Sequence, residues 1–404
     1  PICHLFDARY KTKQNNDKRR QRSRVIKMEQ THDANDEASK TTSSAVRSSG
    51  RNLCARVRET TKQICAINSK HVSISDEKIR YLIERYFDLE MFSEMTKQNG
   101  SRMFESGLHY ASEENESDTC QYLLCVDAIN FCFWPDHDQV SCTAAAATAK
   151  ETLRLEYEHI SRGLKRAMER DVKSLSAQNL QKMTGERLRE MIGWERQLPL
   201  EEARVKRLIE IGRGLDEKYE GSALKLIERA EKSAVKLVEL VVDAFPGFKD
   251  MCLHTGEVRE GQFLSNEVWF LKRAQIFVAD TWGALKGKGA GEFHDIEELT
   301  TFADYRVPVV LREFGVINYD SELLCKTVDE KETLPMGCEM EVEIRSATVQ
   351  AVERIKDALN AKYAKSVGDE CVSICIDWWL WDLGEKRRDD EVWRPHHRTR
   401  TTYY

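Results

Sequence analysis

The sequence predicts a mainly α-helical protein of two packed lobes with an active cavity between them. Three observations carry this expectation. Apolar residues recur at helical spacing in one segment after another, as in SDEKIRYLIERYF and EIRSATVQAVERIKDALNAKY. Capping residues and first-turn acids open these segments, and glycine or proline closes them. Two further stretches, CQYLLCVDAINFCFWPD and EVWFLKRAQIFVADTWGAL, are apolar on nearly every side, as central core elements are. The 404 residues suffice for one large domain or two ordinary ones, and 32% charged with 41% hydrophobic residues is usual for a helix-rich soluble chain.

The bulk properties narrow the function classes. A formal net charge of -6 draws no polyanion, so a nucleic-acid partner would need a local basic patch. No run of eighteen apolar residues is present, so no membrane span is expected. The N-terminal PICHLFDARYKTKQ lacks the apolar centre of a secretory signal, and Asp7 counts against an organelle-targeting peptide despite the basic residues around it. The twelve cysteines are scattered, and the close pairs Cys120/Cys125 and Cys371/Cys375 lack zinc-site spacing. We expect buried thiols in a reducing cytoplasm, with no metal, no cofactor and no structural disulfide.

In chain order, residues 1–70 hold KTKQNNDKRRQRSR and a polar tract without sustained apolar period. They read as a disordered or weakly structured extension to a domain over residues 71–404. Its basic run fits an RNA contact, a localisation signal or a solvated tail. Folded structure is expected from Ser75, a cap with acids behind it and Ile79, Leu82, Ile83, Tyr86 and Phe87 on one helical face. His109 falls in a predicted loop beside Tyr110, where an ordinary exposed or satisfied histidine competes with a site residue. Residues 120–136 form the first core element, and its Asp127 and Asn130 must tie to a neighbouring backbone or face a cavity.

Residues 150–220 give several charged helices. In LQKMTGERLREMI a short helix, a Thr-Gly turn and a second helix capped by Thr184 resemble the hairpin with which DNA glycosylases grip a phosphate backbone, a form common to many folds. Residues 221–245 are expected as one long helix with Leu226, Ala230, Leu237, Val241 and Ala244 inward, stopped by Pro246-Gly247. Over 267–285 a helical reading aligns Trp269, Arg273, Ile276 and Asp280, with Lys272 beside them. An Arg273–Asp280 bridge across two turns is one reading. A basic pair holding a phosphate or orienting a carboxylate is the other.

The segment TTFADYRVPVVLR, 300–312, places Asp304 between Phe302 and Tyr305–Arg306, just before Pro308. Proline pushes Val307 out of the helical region, so 302–307 should run extended or turned, with Phe302 and Asp304 on one side and a helix starting at Pro308 and stopping at Gly315. An aspartate that caps this helix and a carboxylate that meets a cationic or sugar-like group are both open here. In CVSICIDWWLWDLGEKRRDD, Trp378 and Asp382 share a helical face while Asp377 and Asp382 lie about 140° apart. Tryptophans interleaved with carboxylates suit either core packing or a flat base that carries donors and a cation. The closing PHHRTRTTYY is too polar for core.

FADYRVP, preceded by VDAINFCFWPD and followed by EVEIRSATVQAVERI and IDWWLWD, closely resembles the queuosine salvage proteins over residues 75 to 404. That resemblance implies hydrolysis of the N-glycosidic bond of queuosine 5'-phosphate to release queuine, on a helical fold with glycosylase-like packing. It implies Asp304 as the catalytic carboxylate, Phe302 against the base, and His109, Asp377, Trp378 and Asp382 lining the base pocket. Trp378 stands where the family commonly carries a tyrosine, which keeps a ring but exchanges a hydroxyl for an indole N–H. The terminal segment is implied to be a docked tail. The partners expected are this substrate and its product, with no membrane and no stable nucleic-acid complex. Two other classes remain open: a helical nucleic-acid glycosylase or binding protein, and a non-catalytic helical scaffold.

Overall fold

The computed structural model describes residues 52–97, 104–112, 115–134, 154–254 and 267–404, and its architecture is mainly helical. The helices of the chain's first half are α1 (Leu53–Gln63), α2 (Asp76–Tyr86), α3 (Leu89–Lys97), α4 (Glu116–Ala128), α5 (Tyr157–Arg170), α6 (Ala177–Leu180) and α7 (Gly185–Ile192). The second half adds α8 (Glu201–Lys218), α9 (Ala223–Glu228), α10 (Ala234–Ala244), α11 (Lys272–Ala284), α12 (Val307–Glu313), α13 (Glu322–Asp329), α14 (Glu339–Val367) and α15 (Ser373–Lys386). The strands among the described residues pair two by two. β1 (Val72–Ile74) runs antiparallel to β4 (Ile317–Tyr319), β2 (Met251–Leu253) antiparallel to β3 (Glu267–Trp269), and β5 (Thr333–Leu334) parallel to β6 (Arg398–Thr399). Residues 52–404 form one compact unit.

Local sequence dictates most of these boundaries. Ser75 caps α2 by accepting from Lys78 N, and Thr184 caps α7 by accepting from Arg187 N, as their spacing predicts. Gly368, at φ +80°, ends the 29-residue α14 in the left-handed conformation that glycine adopts freely. Helix α4 is buried from Thr119 to Ala128 and packs against α11, whose residues Lys272–Gly283 are all buried. Helices α11 and α15, with the segment that follows α4, line the cavity described below.

Three expectations need correction. The weakly structured extension does not reach residue 70. Helix α1, capped by Asn52, buries Leu53, Cys54, Val57, Thr60 and Thr61 against α14 and β3. Its short apolar stripe is interrupted by threonines, whose hydroxyls bond back to Arg56 O and Val57 O within the helix. The remainder of that call, residues 1–51, lies outside the described residues. The single helix over 221–245 is two, because Glu231 and Lys232 take positive φ and Ser233 restarts the chain by capping Lys236 N. Asp295 holds that break by accepting from Ser233 Oγ at 2.6 Å and Ala234 N at 2.5 Å. The helix expected from 267 begins only at Lys272, because Glu267–Trp269 pair as a strand and Leu271 turns at φ 55°. Trp269 therefore leaves the predicted stripe.

Candidate active site

Residues 300–306 run irregularly between the core and α12, and this places Asp304. The helix begins at Val307, with Pro308 one residue inside its first turn. Asp304 Oδ1 accepts from Arg306 N at 2.8 Å and Val307 N at 2.9 Å, so this carboxylate does cap the turn into α12. Capping and exposure to a cavity turn out to be compatible. Asp304 lines a cavity together with Asn130, Phe133, Glu156, Tyr157, Lys272, Ile276, Asp280, Phe302, Tyr305, Asp377, Trp378, Trp381 and Glu385.

The support beneath Asp304 is an ion pair. Arg345 of α14 bonds Asp250 through both terminal nitrogens, at 3.0 and 2.6 Å, and its Nε donates to Ala303 O at 2.9 Å. Asp250 Oδ2 also accepts from Lys272 N at 3.1 Å. One buried pair thus ties the residue before Asp304 to the first residue of α11. Lys272 Nζ donates to Asn130 O at 2.9 Å and is the largest favourable charge acting on Asp304.

The cavity gathers more carboxyl groups than cations. Burial raises the pKa of Asp304, and the Lys272 charge and the two backbone N–H bonds oppose that rise. Asp377 is pushed up to about 8, first by burial and then by the Asp304 charge. It accepts from Thr301 Oγ1, and from Phe302 N at 2.8 Å, through the same oxygen. Asp280 is also pushed up to about 8, mainly by burial, with Lys272 opposing and Asp377 adding to the rise. Lys272 is lowered to about 8 because burial penalises its charge, with Asp304 the leading opposing influence.

Of the residues singled out from the sequence, Phe302, Asp304, Asp377, Trp378 and Lys272 meet at this cavity. Three stand elsewhere. Arg273 points away, donating to Ala128 O and Gly247 O while lying over Phe131 and Phe248. Its helical neighbour faces the cavity, so Arg273 is placed on the other side, and the Arg273–Asp280 bridge is not formed. Asp382 is an exposed partner of Lys386 in an outer groove that shares Trp378, Trp381 and Glu385 with the cavity, as the angle from Asp377 requires. His109 is buried behind the wall, 5.8 Å from the Tyr157 ring by centroids, with Nδ1 3.4 Å from Tyr122 Oη. Burial holds its pKa down at about 3, so the ring is neutral.

Sequence reasoning passed over Glu156, Tyr157 and Glu385, and gave Tyr305 only as a neighbour of Asp304. Glu156 and Tyr157 sit at the start of an amphipathic helix, and Glu385 lies in a charged helix end, where no local pattern marks a site. Only the fold turns them inward, where Glu385 accepts from Arg306 Nε at 2.6 Å. The C-terminal tail is docked: Tyr404 is fully buried, Cys132 N donates to its carbonyl at 2.9 Å, and the His396 ring packs 4.7 Å from Tyr305.

Comparison with known proteins identifies the family. The family model described as queuosine salvage protein matches residues 108–404. The chain is 37% identical over 355 residues to a Dictyostelium discoideum protein named queuosine 5'-phosphate N-glycosylase/hydrolase, covering 86% of this chain and 98% of that one. A protein of the same name from Bos taurus is 35% identical over 86% of this chain and 98% of its own length, and one from Sphaerobacter thermophilus is 35% identical over 74% and 84%. The chain belongs to the queuosine salvage protein family.

Proposed function

We propose that this protein hydrolyses the N-glycosidic bond of queuosine 5'-phosphate, releasing queuine and ribose 5-phosphate. The observation that carries the reading is a buried carboxylate, Asp304, at an aromatic-walled cavity of a chain whose relatives bear that enzyme's name. Breaking a nucleoside bond passes through an oxocarbenium-like state, and a carboxylate at the sugar stabilises it by charge or attacks it. Backbone N–H groups hold Asp304 Oδ1, which leaves Oδ2 for the anomeric carbon. The Lys272 charge opposes the rise that burial gives the Asp304 pKa. Phe302 and Trp378 present ring faces to a flat base, and Asp377 reads its donor edge.

Three of the residues singled out from the sequence, two of them implied by the resemblance, act differently in this reading. Arg273 is a structural tie and holds no phosphate. His109 backs the Tyr157 wall. Asp382, at the outer groove, meets the base's cationic side chain rather than its ring. Free, buried thiols such as Cys54, Cys120 and Cys125 suit a reducing cytosol.

A nucleic-acid glycosylase is disfavoured by one contact. The turn of the α6–α7 hairpin is filled at Gly185 by the Glu201 carboxylate, itself paired with Arg189, where a phosphate would have to lie. The test is incubation with queuosine, its 5'-phosphate and queuosine-containing tRNA, scoring free queuine. Release from the 5'-phosphate is expected. Release from tRNA alone would establish the glycosylase reading, and no release from any of the three would leave a scaffold.

A further inference from the structure

Asp280 is unusual among the cavity residues. Both its carboxyl oxygens are buried without a hydrogen-bond partner, and the same holds for Asp127 on the facing helix α4. A buried ionised carboxylate without partners costs far more than a neutral one, whose remaining cost falls away once its proton meets an acceptor. Lys272, Ile276 and Asp280 follow one another at four-residue spacing and all line the cavity, so α11 presents a stripe to it. Along that stripe Asp280 lies about 12 Å from Lys272, from the rise of 1.5 Å per residue.

The two ends of the stripe face different parts of the cavity. Lys272 is at the Asp304 end. Asp280 is at the end where the helix meets the α15 ring wall: Trp282 stacks on Trp378 at 5.9 Å, and a Cβ at Gly283 would lie 3.3 Å from the Trp378 ring. This rests on the reading above, in which Asp304 meets the sugar and Asp377 and Trp378 meet the base. We propose that Asp280 is the general acid of the reaction, a neutral carboxyl group that donates its proton to the departing 7-deazapurine.

The chemistry calls for such a donor. In a 7-deazapurine the ring position that ordinary purines protonate to help them leave is a carbon. The proton must come to another acceptor, O6 or N3. As C1'–N9 breaks, its electron pair moves onto the base, and the Asp280 O–H proton passes to that acceptor, leaving the Asp280 carboxylate. A water oxygen bonds to C1' and sheds its proton to solvent at the Asp304 end, and Asp280 regains a proton from solvent once the base has left. Net, one water is consumed and one protonated base is released.

The groups that face Asp280 set its proton affinity. They are Asp127 and Tyr122 from α4, Tyr157 from α5, Asp377 from α15 and Lys272 on its own helix. Burial outweighs the single cation and keeps the acid protonated up to about pH 8. Asp127, whose proton affinity burial and then Asp280 raise, sits behind it on α4.

The test is the single-turnover rate of queuine release by wild type and Asp280→Asn from pH 6 to 10, with free-queuine affinity measured by calorimetry. Asparagine keeps the shape and a hydrogen-bond donor but has no proton to transfer. A rate fall of about 10²-fold or more is expected at neutral pH, the usual range for lost general-acid catalysis. Queuine affinity should stay within about threefold by the same argument, and the fall in rate on the alkaline side should be shallower in the variant, where only Lys272 and Asp377 still titrate in that range. A variant rate within about threefold of wild type overturns the proposal, as does a loss of queuine affinity that accounts for the whole defect. Should the variant fail to fold, a wild-type rate that is flat from pH 6 to 10 overturns it alone. Wild-type enzyme that releases no queuine removes the functional reading instead, and the proposal with it.

Discussion

Asp304 shows how one side chain serves structure and chemistry at once. One carboxylate oxygen is committed to two backbone N–H groups at the entrance of α12. In Asp304→Asn the amide oxygen keeps those bonds, so the loop should hold its shape while the charge is gone. Queuine affinity is expected to survive and kcat to fall by about 10²–10³, more if the carboxylate attacks C1'. A raised KM with unchanged kcat would move the catalytic role to another carboxyl group. Asp127 offers a separate test, since it does not line the cavity. Its folded pKa lies well above the ordinary carboxylate value, through burial and then Asp280. The sign follows: the folded state holds this proton more tightly than the unfolded one, so stability is full below about pH 4 and is lost progressively as pH rises toward the folded value. Thermal unfolding of wild type against Asp127→Asn should show the variant gaining in relative Tm from pH 5 to 8. Parallel curves would show that Asp127 is ionised in the folded protein.

At the scale of elements, the Asp250–Arg345 pair joins α14, the start of α11 and the loop that carries Asp304. Both side chains are almost fully buried, and Arg345 also lies over the Phe270 and Tyr404 rings at 3.9 and 4.3 Å. Arg345→Met would leave Asp250 charged, buried and unpaired, a change that typically costs about 3–5 kcal/mol. A urea midpoint close to wild type would show that Asp250 takes up a proton or finds another partner. Nothing in the sequence announces this pair, because its members are 95 residues apart. Local signals were legible: the Ser75 and Thr184 caps, the helical periods of α2 and α14, and the apolar cores of α4 and α11. The Phe302–Asp304 side of the site was legible too, since alternation in an extended segment puts both on one side. Lys272 and Arg273 were not separable from sequence. Adjacent residues on a helix point about 100° apart, and only the packing of α4 decides which of the two faces the cavity. Asp382 failed for the related reason that it and Asp377 look in different directions from one helix. The break at Glu231–Lys232 stayed hidden because it is held by Asp295, far along the chain.

At the scale of the whole molecule, the question is how much of the chain the cavity needs. Every residue that lines it belongs to the compact unit 52–404, so a chain beginning at Asn52 should keep turnover. The boundary is sharp because α1 is a core helix despite its modest apolar content. Leu53, Cys54 and Val57 are buried, Gln350 of α14 donates to Thr61 Oγ1 at 2.8 Å, and Trp269 of β3 donates its N–H to Thr60 Oγ1 at 3.1 Å. Arg56 and Arg58 reach out from the same helix to Glu267 and Glu298. Removing residues through Gln63 would expose the α14 and β3 surfaces that these groups cover. Burying a single leucine or valine is worth about 1.5–3 kcal/mol, so losing the set would consume a large part of a typical domain's stability. Strand β3 leads directly into α11, so the loss should reach Lys272 and Asp280 as well. Two truncations measured side by side decide this. The chain starting at Asn52 is expected to match full-length kcat and Tm, and the chain starting at Ile64 to unfold well below it or to express as insoluble protein. Equal melting of the two would show that α1 is a dispensable cover. A kcat lost already at Asn52 would instead give the first fifty-one residues a part in the reaction.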